Sequence, residues 1–187
     1  MKLLASSIVA LMLSHAALAG PQDEIISKQY EDGSTYEGTF KNGDRHGEGT
    51  YRKPDGYEYT GQWLEDEIKG YGTARFPNGS VYEGEFVAGK PEGTGKITFA
   101  DGGTYEGDWV DGEMTGQGLA VYANGVRYEG SVKKALHHGS GRMEHPGGYV
   151  YDGTWVNGQR EGEGRITYPD GAVYEGTLVR GKRQGTG

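Results

Sequence analysis

The chain of 187 residues contains no cysteine, which excludes disulfides, thiolate metal ligands and a cysteine nucleophile. No segment after the first 20 residues is apolar for the roughly 20 residues that a membrane-spanning helix needs. No later stretch has a helical hydrophobic period either. Basic residues are the minority, 19 against 27 acidic ones, and the net charge of −8 argues against nucleic acid as a partner.

Recognisable catalytic patterns are also missing. Few serines follow the first 19 residues, and none lies in a Gly-x-Ser-x-Gly elbow. The frequent Gly-x-Gly pairs lack the following helix whose N-terminus would hold a phosphate. We therefore predict a protein that is not an enzyme and has no cofactor, catalytic residue or bound metal.

The N-terminus has the pattern of a secretory signal. Lys2 precedes an apolar run over residues 3–13, and Ala17-Leu18-Ala19 gives the small-x-small pattern of a cleavage site. We expect residues 1–19 to be removed, which would leave a net charge of −9 and a short leader over residues 20–29. The alternative is an uncleaved membrane anchor. A short, plain signal favours a bacterial periplasm over other secreted destinations.

A 23-residue repeat occupies the rest of the chain, residues 30–187. We number its positions from a tyrosine at position 1, with glycine at positions 3, 12 and 14 of all seven copies and at position 21 of the first six. Such a fixed period is typical of repeat architectures and accounts for most of the 36 glycines. The anchor tyrosines are Tyr36, Tyr59, Tyr82, Tyr105, Tyr128, Tyr151 and Tyr174.

Each repeat is predicted to form a β-hairpin. Positions 1–6 alternate between aromatic or aliphatic and polar residues, and alternation resumes after position 14. Turn sequences such as Asn42-Gly43 and Asp55-Gly56 separate these runs, and Asn-Gly and Asp-Gly are strong hairpin signals. The expected fold is all-β, an antiparallel sheet of successive hairpins.

Strand alternation places positions 1, 3, 5, 16 and 18 on one face, which holds 18 of the 21 aromatic residues. The position 3 glycine leaves room for a neighbouring ring to lie over the backbone. Acidic residues at position 2 lie on the other face with Arg52, Arg142 and Arg165, where cross-strand ion pairs are expected.

The pattern Tyr-Glu-Gly-x-Trp/Phe-x-x-Gly-x-x-x-Gly-x-Gly, as in residues 105–118, resembles the MORN repeat (membrane occupation and recognition nexus). The resemblance covers seven copies. It implies an elongated, twisted sheet whose aromatic side forms a concave groove. Some members of the family are thought to associate with lipid membranes.

Repeat five departs most from the pattern. Val132 replaces the aromatic residue at position 5, and Lys134-Ala135 replaces the glycine turn. His137, His138 and His145 cluster nearby; an exposed turn explains them better than a zinc or copper site. We expect specificity to be determined in this repeat.

A single sheet cannot bury both faces, so accessible rings would mark a binding site, although core packing is the simpler role for most of them. We predict a noncatalytic scaffold that binds a protein partner through its groove or its edge strands, and edge pairing could also join two copies. Alternatives are weak membrane-lipid contact through residues such as Lys133 and Lys134, and envelope glycan binding. The groove candidates are Tyr36, Phe40, Tyr59, Trp63, Tyr82, Phe86, Tyr105, Trp109, Tyr128, Tyr151, Trp155 and Tyr174.

Overall fold

The computed structural model describes residues 24–185, so the predicted signal sequence, residues 1–19, lies outside the described residues. The described chain forms one antiparallel sheet in which 15 strands follow sequence order, and each strand pairs with its neighbours in the chain. This confirms the predicted all-β fold. The strands are β1 Ile26–Gln29, β2 Thr35–Lys41, β3 Asp44–Arg52, β4 Glu58–Leu64, β5 Glu67–Arg75, β6 Val81–Val87, β7 Lys90–Thr98, β8 Thr104–Val110, β9 Glu113–Val121, β10 Arg127–Lys133, β11 Leu136–Glu144, β12 Val150–Val156, β13 Gln159–Thr167, β14 Val173–Val179 and β15 Lys182–Arg183.

Two kinds of turn alternate along the sheet. Positions 7 and 8 form a two-residue turn with positive φ at both residues, as at Asn42 (55°) and Gly43 (98°). That geometry matches the twist of the flanking strands, which is why such turns dominate short hairpins. Positions 18 to 22 form the other turn, closed by a hydrogen bond from the position 18 N–H to the position 22 carbonyl, as between Lys53 and Tyr57.

A bulge in each of the first six hairpins explains the glycine at position 12. Gly38 pairs with Gly49, whereas Phe40, two residues later, pairs with Arg45. Thr39 of β2 therefore lies opposite three residues, 46–48. Gly47, at position 12, takes up the extra length with a φ of +68°, a conformation that other L-residues adopt at a cost.

The tyrosine at position 1 explains the glycines at positions 3 and 14. The side chain of Tyr36 lies over Gly38 and Gly49, which pair across the two strands. A Cβ added to Gly49 would lie 2.2 Å from the Tyr36 hydroxyl oxygen, so no larger residue fits there. The structure thus contains the close ring-to-backbone approach that the glycine pattern predicts.

Each of the seven anchor tyrosines donates its hydroxyl proton to the carbonyl of position 4, three residues later. The three tryptophans at position 5 add a bond of their own, because each indole N–H donates to a position 14 carbonyl in the preceding repeat, as from Trp63 to Gly49 at 3.1 Å. Buried polar groups need such partners, so these bonds fix the position of each ring.

The opposite face carries the cross-strand ion pairs that the sequence predicts. Arg142 lies 3.6 Å from Asp152 and Arg165 lies 3.4 Å from Glu175, measured between nitrogen and oxygen atoms. Arg52 contacts Glu58 at 2.8 Å and approaches Glu37 at 3.9 Å. These side chains are largely exposed, so each pair contributes about 1 kcal/mol or less.

The turn in repeat five is expected to be strained. Lys134 and Ala135 have φ angles of 51° and 61°, and Ala135 occupies the position that is glycine in five repeats. The Ala135→Gly variant should therefore be more stable by about 1 kcal/mol, because glycine adopts this conformation without steric cost. Urea denaturation would measure the difference.

Gly89 offers the reverse change at the equivalent position. Its φ is +75°, and a Cβ added there meets no atom within 4 Å, so Gly89→Ala changes only the conformational cost. We expect this variant to lose about 1 kcal/mol. Equal stability of Ala135→Gly and the wild type would show that the repeat-five turn is not strained.

Alkaline pH should destabilise the fold through the anchor tyrosines. Burial raises the pKa of Tyr36, Tyr82, Tyr105 and Tyr128 from 10.0 to about 12. Between about pH 10 and 12 the unfolded chain therefore loses protons that the folded chain keeps, and the free energy of unfolding falls as the pH rises. Below about pH 9 these groups should have no effect.

Urea denaturation across this range would measure the fall, and tyrosinate absorbance would follow the ionisation. Tyr82→Phe should lose about 1 kcal/mol at neutral pH, because its hydroxyl bond to Glu85 is removed. Its stability should then fall less steeply above pH 10. Tyr71→Phe is the matched control, since that ring is 61% exposed. A wild-type stability that stays constant up to pH 12 would contradict the prediction.

Candidate functional site

The predicted groove residues come together on one face, which we call the aromatic face. Edge-to-face ring contacts link the repeats along it, as between Tyr36 and Trp63, whose centroids are 5.2 Å apart. All seven anchor tyrosines are at most 7% exposed, and among the position 5 rings only Phe40 is partly exposed. The other eleven candidate residues form the core of the sheet, so a partner on this face would first meet the side chains around them.

Position 10 supplies much of that outer layer, and sequence reasoning missed it. Arg45 lies over the Trp63 ring, with its guanidinium carbon 4.2 Å from the ring centroid. Arg160 and Arg183, in the same position, approach the anchor tyrosines of their repeats at 5.6 and 5.4 Å. The turn length could have predicted this placement. A two-residue turn at positions 7 and 8 places position 10 opposite position 5, as with Arg45 and Phe40.

Partly buried rings at positions 16, 18 and 22 complete the outer layer. Tyr51 packs on Trp63 at 6.0 Å, and Tyr57 packs on Phe76 at 5.9 Å. Tyr149 continues the row towards Tyr168 at 5.9 Å. Together with the position 10 side chains, these rings form a surface of aromatic and guanidinium groups along the sheet.

The Arg45 guanidinium also has an acidic partner. Its Nε lies 3.0 Å from Asp66, and the Arg45 backbone N–H donates to the same carboxylate oxygen. These contacts, the backbone bond first, lower the pKa of Asp66. They give a structural reason for aspartate in place of glycine at position 8 of repeat two. Tyr51 and Asp66 border a surface depression of about 490 Å³ beside Arg45.

The histidines of repeat five do not converge. His137 stacks on Tyr128 with centroids 3.6 Å apart, and its Nε2 lies 2.8 Å from the Tyr122 hydroxyl. His138 lies next in β11 and therefore on the other face, near the Asn157 N–H. His145 contacts Tyr149 in the next loop. Within residues 24–185, no three His, Asp or Glu side chains are grouped as metal ligands would be.

Some apolar side chains are exposed on the polar face, for which the sequence pattern predicts polar and charged residues. Tyr71 is 61% exposed there, opposite Glu85. Position 6 carries exposed aliphatic residues in five repeats, but successive ones lie at least two strands, or about 10 Å, apart. Single exposed apolar residues at that spacing form no continuous patch. The five are Leu64, Val87, Val110, Val156 and Val179.

The solved structures that are similar to this chain include two TCP domains. The TCP domain of SAS-4 (dCPAP) of Drosophila melanogaster, solved in complex with a proline-rich motif of Ana2 (dSTIL), has a TM-score of 0.52 and 11% identity over 95% of this chain and 99% of that one. The TCP10 domain of Danio rerio CPAP with a STIL peptide has a TM-score of 0.34 and 18% identity, covering 83% and 100%. At 11% identity, the match to the fly domain indicates a similar fold and nothing more.

The search of curated proteins gave no match. In the stretch from residue 24 to residue 185, no helix is long and apolar enough to cross a membrane. The model of the MORN repeat matches seven times, over residues 36–56, 59–81, 82–104, 105–127, 128–148, 151–173 and 174–187. These matches cover most of the sequence and follow the hairpin units of the sheet. The chain therefore belongs to the MORN repeat family.

Proposed function

We propose that the protein is a noncatalytic interaction module that binds an extended protein segment along its aromatic face. One observation carries the proposal: within residues 24–185 this face is covered by no second layer of structure. Its outer layer consists of partly exposed rings and the guanidinium groups of Arg45, Arg160 and Arg183. Aromatic and arginine side chains are the types that contribute most to protein interfaces.

The chemistry of this surface favours a particular kind of segment. Rings that are already packed lose little side-chain entropy on binding, and they can contact apolar residues and proline. Arg160 and Arg183 can pair with carboxylates of the partner, whereas Arg45 is already bound to Asp66. An extended segment with apolar and acidic residues fits best. The fly TCP domain, solved with a proline-rich motif, supports peptide binding by a sheet of similar build.

The first edge of the sheet is the alternative site. Within the described residues, β1 pairs only with β2, and all four of its residues are exposed. Ile25, just before it, is 70% exposed. A strand of a partner protein or of a second copy could add to this edge through backbone hydrogen bonds. Weak lipid contact is less favoured because of the acidic net charge, and glycan binding because most large rings are buried.

A comparison of the two faces tests the proposal. Arg160→Ala and Tyr149→Ala remove contacting side chains from the aromatic face, so each should weaken partner binding about tenfold or more. Arg142→Ala and Arg165→Ala are matched controls, since they remove exposed cations from the polar face of β11 and β13. The affinity of purified variants for the protein that co-purifies with the wild type would be measured by calorimetry.

The controls should bind within about twofold of the wild type, because exposed ion pairs contribute little. Unchanged affinity in both aromatic-face variants would count against the proposal. Loss of binding that is confined to a variant lacking residues 24–29 would instead favour pairing at the β1 edge.

Export to the periplasm is part of this proposal and is tested separately. If the signal is cleaved after Ala19, the mature chain begins at Gly20. Mass spectrometry of the protein from a periplasmic extract should then give the mass of residues 20–187. A protein of full-length mass that stays with the cells would contradict export.

A further inference from the structure

Two of the six junctions between repeats lack the aromatic ring that the other four have, and one of the two is left unfilled. At four junctions the ring at position 5 stands edge-on to the anchor tyrosine of the preceding repeat, with centroids 5.0 to 5.5 Å apart. Tyr105 has no such partner, because position 5 of the next repeat is Val132. At the last junction, Leu178 fills the equivalent place and is fully buried.

A cavity of about 240 Å³ lies where the ring is missing. Tyr105, Ala120 and Val132 line it, and Phe99, Met114 and His137 contribute further apolar and aromatic walls. Position 16 shows the effect of the missing ring. Ala74 is completely buried in repeat two, where Phe86 follows, whereas Ala120 is partly exposed in repeat four, where Val132 follows.

The polar groups around this cavity already have partners. The Tyr122 hydroxyl and His137 Nε2 are hydrogen-bonded at 2.8 Å, and the Asp101 carboxylate accepts the Gly103 N–H at 2.9 Å. Burial lowers the pKa of His137, so its neutral form prevails at pH 7. A ligand therefore meets an apolar interior with a neutral hydrogen-bonding pair at the side.

We infer that this cavity binds one aromatic side chain of the partner segment, seated edge-on to Tyr105 in the place that tryptophan or phenylalanine holds at other junctions. The inference rests on the proposed function, because it names the anchor residue of the bound segment. Apolar cavities of about 150 Å³ admit a benzene ring, so the volume here suffices. Aromatic pairs attract each other beyond their area of contact, which favours a ring over an aliphatic side chain.

Free amino acid analogues test the cavity without the partner. N-acetyl-phenylalaninamide should cause saturable chemical-shift changes at the Met114 methyl group and the His137 ring of the wild-type protein. N-acetyl-leucinamide should bind at least about fivefold more weakly, since it lacks the ring. Equal affinity for the two probes would overturn the preference for an aromatic residue. No saturable change with either probe would overturn the binding site.

Variants that fill the cavity provide the second arm. Val132→Phe supplies the missing ring, so it should raise the melting temperature and weaken probe binding about tenfold or more. Ala120→Ile fills the cavity with the residue found at position 16 of repeats three and six. If Val132→Phe does not fold, probe binding by Ala120→Ile tests the inference instead. Val110→Phe, on the polar face and 51% exposed before substitution, should bind as the wild type does.

Undiminished probe binding by a folded Val132→Phe or Ala120→Ile variant would place the probe elsewhere and overturn the inference. Failure of the proposed function is distinguishable from this result. If Arg160→Ala and Tyr149→Ala leave partner affinity unchanged while the probe still binds in the cavity, the aromatic face is not the partner's site. In that case the ring that the cavity binds would belong to a small aromatic molecule and not to the partner segment, and the inference would be wrong.

Discussion

The close stacking of a tyrosine ring on two paired glycines is the interaction on which the fold depends. Tyr36 can lie over Gly38 and Gly49 only because neither has a Cβ, and its hydroxyl then reaches the Thr39 carbonyl. A sheet of one layer has no second layer to bury its apolar side chains, so the rings cover their own backbone instead. Six repetitions of this arrangement within residues 24–185 make the chain's high glycine content a packing requirement.

Because this arrangement fixes positions 1, 3 and 14, positions outside it and outside the turns can vary, and position 10 is one of them. Position 10 carries Arg45 over Trp63 in repeat one and His137 over Tyr128 in repeat five, and both cover an already buried ring. Substitution there changes charge and hydrogen bonding at the surface without disturbing the core. Repeat proteins can in this way keep one backbone and alter their binding chemistry from unit to unit.

The sequence predicts the hairpins, their order and the two faces, because period-two alternation and turn residues act locally and recur in every repeat. It does not predict which rings are accessible. Tyr128 and Phe40 look equivalent as aromatic residues on one face, yet Tyr128 is buried and Phe40 is partly exposed. That difference depends on contacts between neighbouring repeats, such as those of position 5 with the preceding tyrosine, which no local pattern contains. The sequence pattern also does not predict that Arg45 lies on the aromatic face, because that position follows from strand pairing across the turn.

Repeat five shows why departures from a repeat pattern carry information. A single-layer sheet has no second layer that could move in to fill the space of a missing ring. The smaller side chain of Val132 therefore leaves a cavity beside Tyr105. The cost of such a cavity grows with its volume, and filling it should therefore be favourable for the fold. Because an incoming ring would restore contacts that four other junctions supply internally, binding there recovers packing energy that the chain lacks by itself. A missing side chain in a repetitive core can therefore create a binding site while the backbone of the repeat stays the same.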